Sequence, residues 1–293
     1  MKNYRKLLLF VFIALAAATL LGPWVAALWN SVLGSRPEFA QVFGGVFIAA
    51  ASVLVLSSPS FFRLQFLREA GLTPFRDRWP NLFRGFILAL ASVVVLGLLM
   101  FFSGSFTPQI TDPVLSVLRS SGKALLTALM VGFFEELFFR GLLFKGLLED
   151  SRPAVAFTAA NLLYAASHFI KPPEDFFLNG IDPLAGIRFI GVALESFLDP
   201  PAILPGLIGL FIIGVVLSYA LLRAESLYLS IGLHAGWVFG IKILPNFGEF
   251  TRADLGWAFG STEPKIVSGI VTWLGIAAVG VAVHFITRKK PSP

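Results

Sequence analysis

The sequence predicts an all-α fold, a polytopic transmembrane helix bundle of about eight spans, and three observations predict it. Of the 293 residues, 56% are hydrophobic and 14% charged, against about a quarter charged in an ordinary soluble domain. The mean hydropathy is +0.81. The apolar residues fall in repeated runs of about 20, the length that crosses about 30 Å of hydrocarbon as a helix. These runs are continuous rather than alternating, so the backbone is satisfied by helices and not by a barrel.

The first run extends from Leu7 to Trp29 behind Lys2, Arg5 and Lys6. It is longer than the apolar region of a signal peptide, about 7 to 15 residues, so a retained first helix is expected. Further runs cover 41–57 and 82–102. Between these two lies a polar stretch with Arg63, Arg68, Arg76 and Arg78, broken by Pro74 and Pro80. It reads as a cytoplasmic loop with a short interfacial helix around 60–70. A fourth run, 123–148, carries Glu135, Glu136, Arg140 and Lys145, and a fifth, 154–170, contains His168 near its end. A Pro-, Gly- and Asp-rich segment, 171–185, precedes an apolar stretch at 186–198 that is too short to span and is placed at the interface. Runs at 202–222, 227–244 and 266–287 complete eight crossings.

The formal net charge is +6. The basic residues cluster at the ends of apolar runs, which points to anionic headgroups of the lipid bilayer and not to nucleic acid. With an inside start, the inside loops hold more Lys and Arg than the outside loops, so both termini are expected in the cytoplasm. The expected location is a bacterial inner (plasma) membrane. Cysteine is absent, which excludes a disulfide framework, a thiolate metal site and a cysteine nucleophile. The sequence shows no internal repeat and no soluble second domain. Residues 1–122 read as accessory transmembrane helices with a cytoplasmic loop, 123–244 as a catalytic core, and 245–293 as a final helix and basic tail.

Ionisable groups at membrane depth are costly, about 2.5 to 3.5 kcal/mol each even on the permissive insertion scale, so they mark where function lies. In GFFEELFFRGLLFKG, Glu136 and Arg140 are four apart and share a helix face, where they can pair, while Glu135 points about 100° away. A carboxylate left in a low-dielectric site has the character of a general base, and Glu135 is the candidate. The protein has three histidines. His168 and His234 each lie in a separate apolar run, and His284 sits near the basic tail with a structural or interfacial role. Glu135 and His168 can orient and deprotonate a water, with His234 donating to the oxyanion of an attacked carbonyl. The same residue types, Glu135, His168 and His234, can alternatively ligate zinc. The spacing leaves both routes open. No HExxH, no GxSxG around Ser167 and no phosphate-cradling glycine loop is present.

The order of these motifs resembles the CPBP family, which comprises type II CAAX prenyl proteases and bacteriocin-processing and immunity proteins. The first motif is Glu135, Glu136 and Arg140; the second is Tyr164 with His168; the third, after the SIGLH run, starts at His234. The resemblance covers roughly 123–244. It implies an intramembrane endopeptidase in which Glu135 and His168 activate water, His234 helps form the oxyanion hole, and Glu136 and Arg140 support the first carboxylate. There are two departures. Tyr164 stands where phenylalanine is usual, and Val238 stands where the family often has asparagine. Valine donates no hydrogen bond, and losing one oxyanion donor lowers rates about 10²- to 10³-fold. Asn161, two helical turns before His168, and the indole N–H of Trp237 are therefore candidate replacements.

The reading that results is a peptidase acting on a membrane-associated peptide or protein near the cytoplasmic side, without a certain cofactor. Two other classes are weighed beside it: a non-catalytic immunity or partner-binding protein on the same scaffold, and a transporter, which would require inverted repeats that the sequence lacks.

Overall fold

The computed structural model describes residues 3–58, 68–109, 113–173, 176–178, 180–260 and 266–288. Helices occupy the eight expected positions: α1 Asn3–Leu33, α2 Phe39–Leu56, α3 Phe75–Phe102, α4 Val114–Asp150, α5 Pro153–Ser167, α7 Pro200–Ala224, α8 Tyr228–Ile243 and α9 Ile270–Ile286. The short α6, Ala185–Ala193, followed by a 3₁₀ turn at Glu195–Leu198, fills the stretch predicted to be too short to span. The interfacial helix expected around 60–70 falls largely outside the described residues.

Five helices, α1 to α4 and α7, are long and apolar enough to cross a membrane. The others at expected span positions are shorter, at 15, 16 and 17 residues for α5, α8 and α9. Large apolar side chains are widely exposed, among them Phe12, Val32, Phe102 and Leu274, which is what a lipid-facing surface requires. The chain is an integral membrane protein with an all-helical polytopic fold.

The chain divides into two compact units. The first comprises Met1–Phe66 and Ala166–Ile203. Here α1 and α2 form a hairpin, and Gly186 of α6 lies against the backbone of Thr19 in α1, where a side chain would not fit. The rings of Phe39, Phe43, Phe176 and Phe189 form an aromatic cluster beside it.

The second unit comprises Leu67–Ala165 and Leu204–Pro293. Its axis is α8, of whose sixteen residues ten are buried. One face of α8 carries Gly232, Gly236 and Gly240, and all three meet α3. A Cβ built at Gly232 would overlap the carbonyl oxygen of Leu82, and one at Gly236 that of Phe86. Small residues four apart permit this close helix contact in the absence of a hydrophobic drive between helices in lipid. A second face meets α4, where Gly132 lies against the backbone of Ile231 and Ala235. Leu143, Phe144, Ala156, Ala160, Leu221, Leu227 and Ile231 fill the core between α4, α5, α7 and α8. Two short antiparallel strands, β1 Phe106–Pro108 and β2 Gly248–Phe250, pair Phe106 with Phe250 beyond the end of α3.

Candidate active site

The acid pair lies midway along α4, where Glu136 ends the α-helical part and the next eight residues, Leu137–Phe144, are π-helical. Such wide turns are rare and concentrate at functional positions. Across the junction Arg140 Nη1 donates to Glu136 Oε1 at 2.8 Å, with both side chains buried. The pairing expected from the four-residue spacing is present.

Three helices complete the surroundings of this ion pair. From α5, the Tyr164 ring receives the Arg140 guanidinium on its face, with Cζ 4.1 Å from the ring centroid, a cation–π contact strengthened by burial. Arg140 Nε and Nη2 make no hydrogen bond among the described residues, so the aromatic face is what much of this guanidinium meets. From α8, His234 Nδ1 lies 2.8 Å from the same Glu136 Oε1, and the His234 ring stands edge-on to Tyr164. From α7, Ser218 Oγ donates to Asn161 Oδ1 at 2.9 Å, and Gly214 leaves the room Asn161 occupies.

A carboxylate held by arginine is ionised and only accepts, so the proton on the 2.8 Å contact belongs to His234 Nδ1. In a neutral imidazole the opposite nitrogen, Nε2, is then a lone pair. That nitrogen lies 3.9 Å from Glu135 Oε2. The gap is too long for a direct hydrogen bond and short enough for one water to bridge.

The other predicted residues are distributed as follows. Glu135 is partly exposed, its side chain 32% accessible, beside the buried cluster. Asn161 is buried and its Nδ2 has no hydrogen-bond partner among the described residues, so it retains a donor. Trp237 donates its indole N–H to Ser92 Oγ at 3.0 Å on the α3 side of α8, which commits that donor elsewhere. His168 is exposed, one residue beyond the end of α5, and belongs to the first unit. His284 is held in the α7–α9 contact by Tyr219, whose Oη lies 2.7 Å from Nδ1, in keeping with a structural role. Among the described residues no three His, Asp or Glu side chains are gathered so as to hold a metal ion.

The Glu136–His234 bond is the feature sequence reasoning missed, since it grouped His234 with Glu135 and His168. A signal was present. Gly232 and Gly236 flank His234 two residues away on either side, about 200° around the helix, so a glycine face packed on α3 turns His234 away from it.

A buried acid–cation–imidazole cluster built on the long apolar α4 and the shorter α8 defines the class: an integral membrane protein with buried ionisable chemistry. The family model for type II CAAX prenyl endopeptidase Rce1-like matches residues 119–240. This segment, less than half of the chain, is similar to that family, and it covers the three motifs that carry the resemblance. No curated protein and no solved structure matches the chain.

Proposed function

We propose that the chain is an intramembrane endopeptidase in which Glu135 activates a water held between it and His234. Water oxygen attacks the peptide carbonyl carbon, and its proton passes to Glu135. The same proton then goes to the leaving amine nitrogen as the C–N bond breaks, yielding a carboxylic acid and an amine. His234, as imidazolium, donates Nε2–H to the oxyanion while Nδ1–H stays on Glu136. Asn161 Nδ2 is the second donor, in the place of the amide that Val238 lacks. His168 is assigned to the water by the motif match alone. Both termini face the cytoplasm of a bacterial cell, and the substrate is a membrane-associated peptide or small protein.

The observation that carries this reading is the 3.9 Å separation of Glu135 Oε2 from His234 Nε2 within the segment that matches an endopeptidase family. The test is comparison of membrane-protein termini in cells carrying wild type, Glu135→Gln or His168→Ala. Specific cleaved termini are expected with wild type and their loss with each variant, at equal membrane insertion. Unchanged termini with both variants would leave the scaffold as a non-catalytic binding protein. Metal analysis of the purified chain, followed by chelation, separates the glutamate route from the zinc alternative: cleavage that survives chelation assigns the first.

A further inference from the structure

In the second unit, Arg78 near the start of α3 and Arg223 in the last turn of α7 meet beside the end of α9. A recess of about 270 Å³ there is lined by Arg78, Asn81, Arg223, Glu225, Ile286 and Thr287. That is several times the ~30 Å³ share of one water. Arg78 and Arg223 are both half-buried. Arg78 Nη1 donates to the Ala224 carbonyl and Arg223 Nε to Thr287 Oγ1, each at 3.2 Å. Each contact takes a single N–H of a five-donor fork, and among the described residues neither arginine forms an ion pair with a carboxylate. Among the described residues that line the recess, the acid is Glu225, which is exposed.

Two guanidiniums on one recess repel each other unless an anion lies between them, and the planar fork matches phosphate oxygens in pairs. The adjoining surface is apolar: Leu222, Val281, Phe285 and Ile286 are all exposed. An amphipathic ligand would satisfy both surfaces at once, its anion in the recess and its chains along α9. We propose that this recess binds the phosphate of an anionic lipid headgroup through Arg78 and Arg223, with Asn81 as a neutral partner. A free phosphate shares the chemistry of the anion, and the apolar border favours the lipid. Basic pockets between transmembrane helices take phosphate headgroups by this combination.

The test uses the purified full chain in maltoside micelles, titrated with phosphatidylglycerol, phosphatidylcholine, oleate or inorganic phosphate, reading thermal stability and lipid retained in native mass spectra. Phosphatidylglycerol is expected to stabilise the wild type and to remain bound. Arg223→Gln should weaken its apparent Kd about tenfold or more, as for the loss of one charge-assisted hydrogen bond, and Arg223→Lys should weaken it less. Asn81→Asp leaves both arginines in place and sets a carboxylate where the anion would lie, so it should weaken binding while the lipid-free protein melts no lower than wild type. Equal phosphatidylglycerol binding by wild type and Asn81→Asp overturns the site. Oleate as effective as phosphatidylglycerol overturns phosphate recognition, and inorganic phosphate alone giving the full effect overturns the lipid as its source.

Discussion

Arg140 touches every other buried member of the cluster or its neighbour: it bonds Glu136, stacks on Tyr164, and shares with His234 the Glu136 oxygen that both reach. Removing one partner of a buried pair leaves an uncompensated charge, at a cost of about 3–5 kcal/mol. Arg140→Met is therefore expected to destabilise the full chain by about that amount in denaturant titrations in detergent, and adding Glu136→Gln in the same chain should recover part of it. In the proposed mechanism, Glu136→Gln alone removes the carboxylate that holds His234 Nδ1. Cleavage should fall by about 10²-fold, the scale of one lost oxyanion donor, with insertion unchanged when measured by membrane fractionation. Asn161→Ala separates its two roles in the same way: loss of rate at unchanged stability assigns its Nδ2 to the oxyanion, whereas loss of stability alone assigns Asn161 to the Ser218 contact.

At the scale of elements, the site depends on the rotation of α8, and α3 fixes that rotation through the glycine face. Substitution of Gly236 by valine would drive a side chain into the Phe86 backbone. Helices cannot relieve a backbone overlap by rotamer changes, so α3 and α8 must separate, at a cost of at least about 1–3 kcal/mol. Gly275→Val on α9, where nothing lies within 4 Å of the added carbon, is the matched control. The expected result is a lower melting temperature and lost cleavage for Gly236→Val, with Gly275→Val close to wild type in both. The π-helical turn after Glu136 belongs to this scale too. Nothing in LFFRGLLF announces it, because a run so nearly uniformly apolar carries no periodicity that would tell a wider turn from an α-helical one.

For the whole molecule, the number of crossings decides the orientation of the ends. Eight crossings return the C-terminus to the side of the N-terminus. Five, the helices that meet the length and composition required alone, would place the ends on opposite sides. Paired C-terminal fusions to a fluorescent protein and to alkaline phosphatase measure this directly. The positive-inside asymmetry predicts fluorescence and no phosphatase activity for the C-terminal fusions, with the same outcome for an N-terminal fluorescent fusion. The opposite C-terminal result would mean that an odd number of helices crosses.

Hydropathy alone determined that this chain is a membrane helix bundle and where its helices lie, because a backbone in lipid has few ways to satisfy its hydrogen bonds. The Glu136–Arg140 pair was legible for a related reason: four residues on one helix fix a shared face before any packing occurs. The motif order likewise marked the segment that matches an endopeptidase family. The bond from Glu136 to His234, 98 residues away, was settled only by tertiary structure. It depends on which way α8 turns, and that rotation comes from backbone contacts with α3 that no local pattern of hydrophobicity encodes. The same holds for Asn161 and Trp237. Both carry donors, and only their partners, Ser218 through the amide oxygen and Ser92 through the indole, decide which donor remains available.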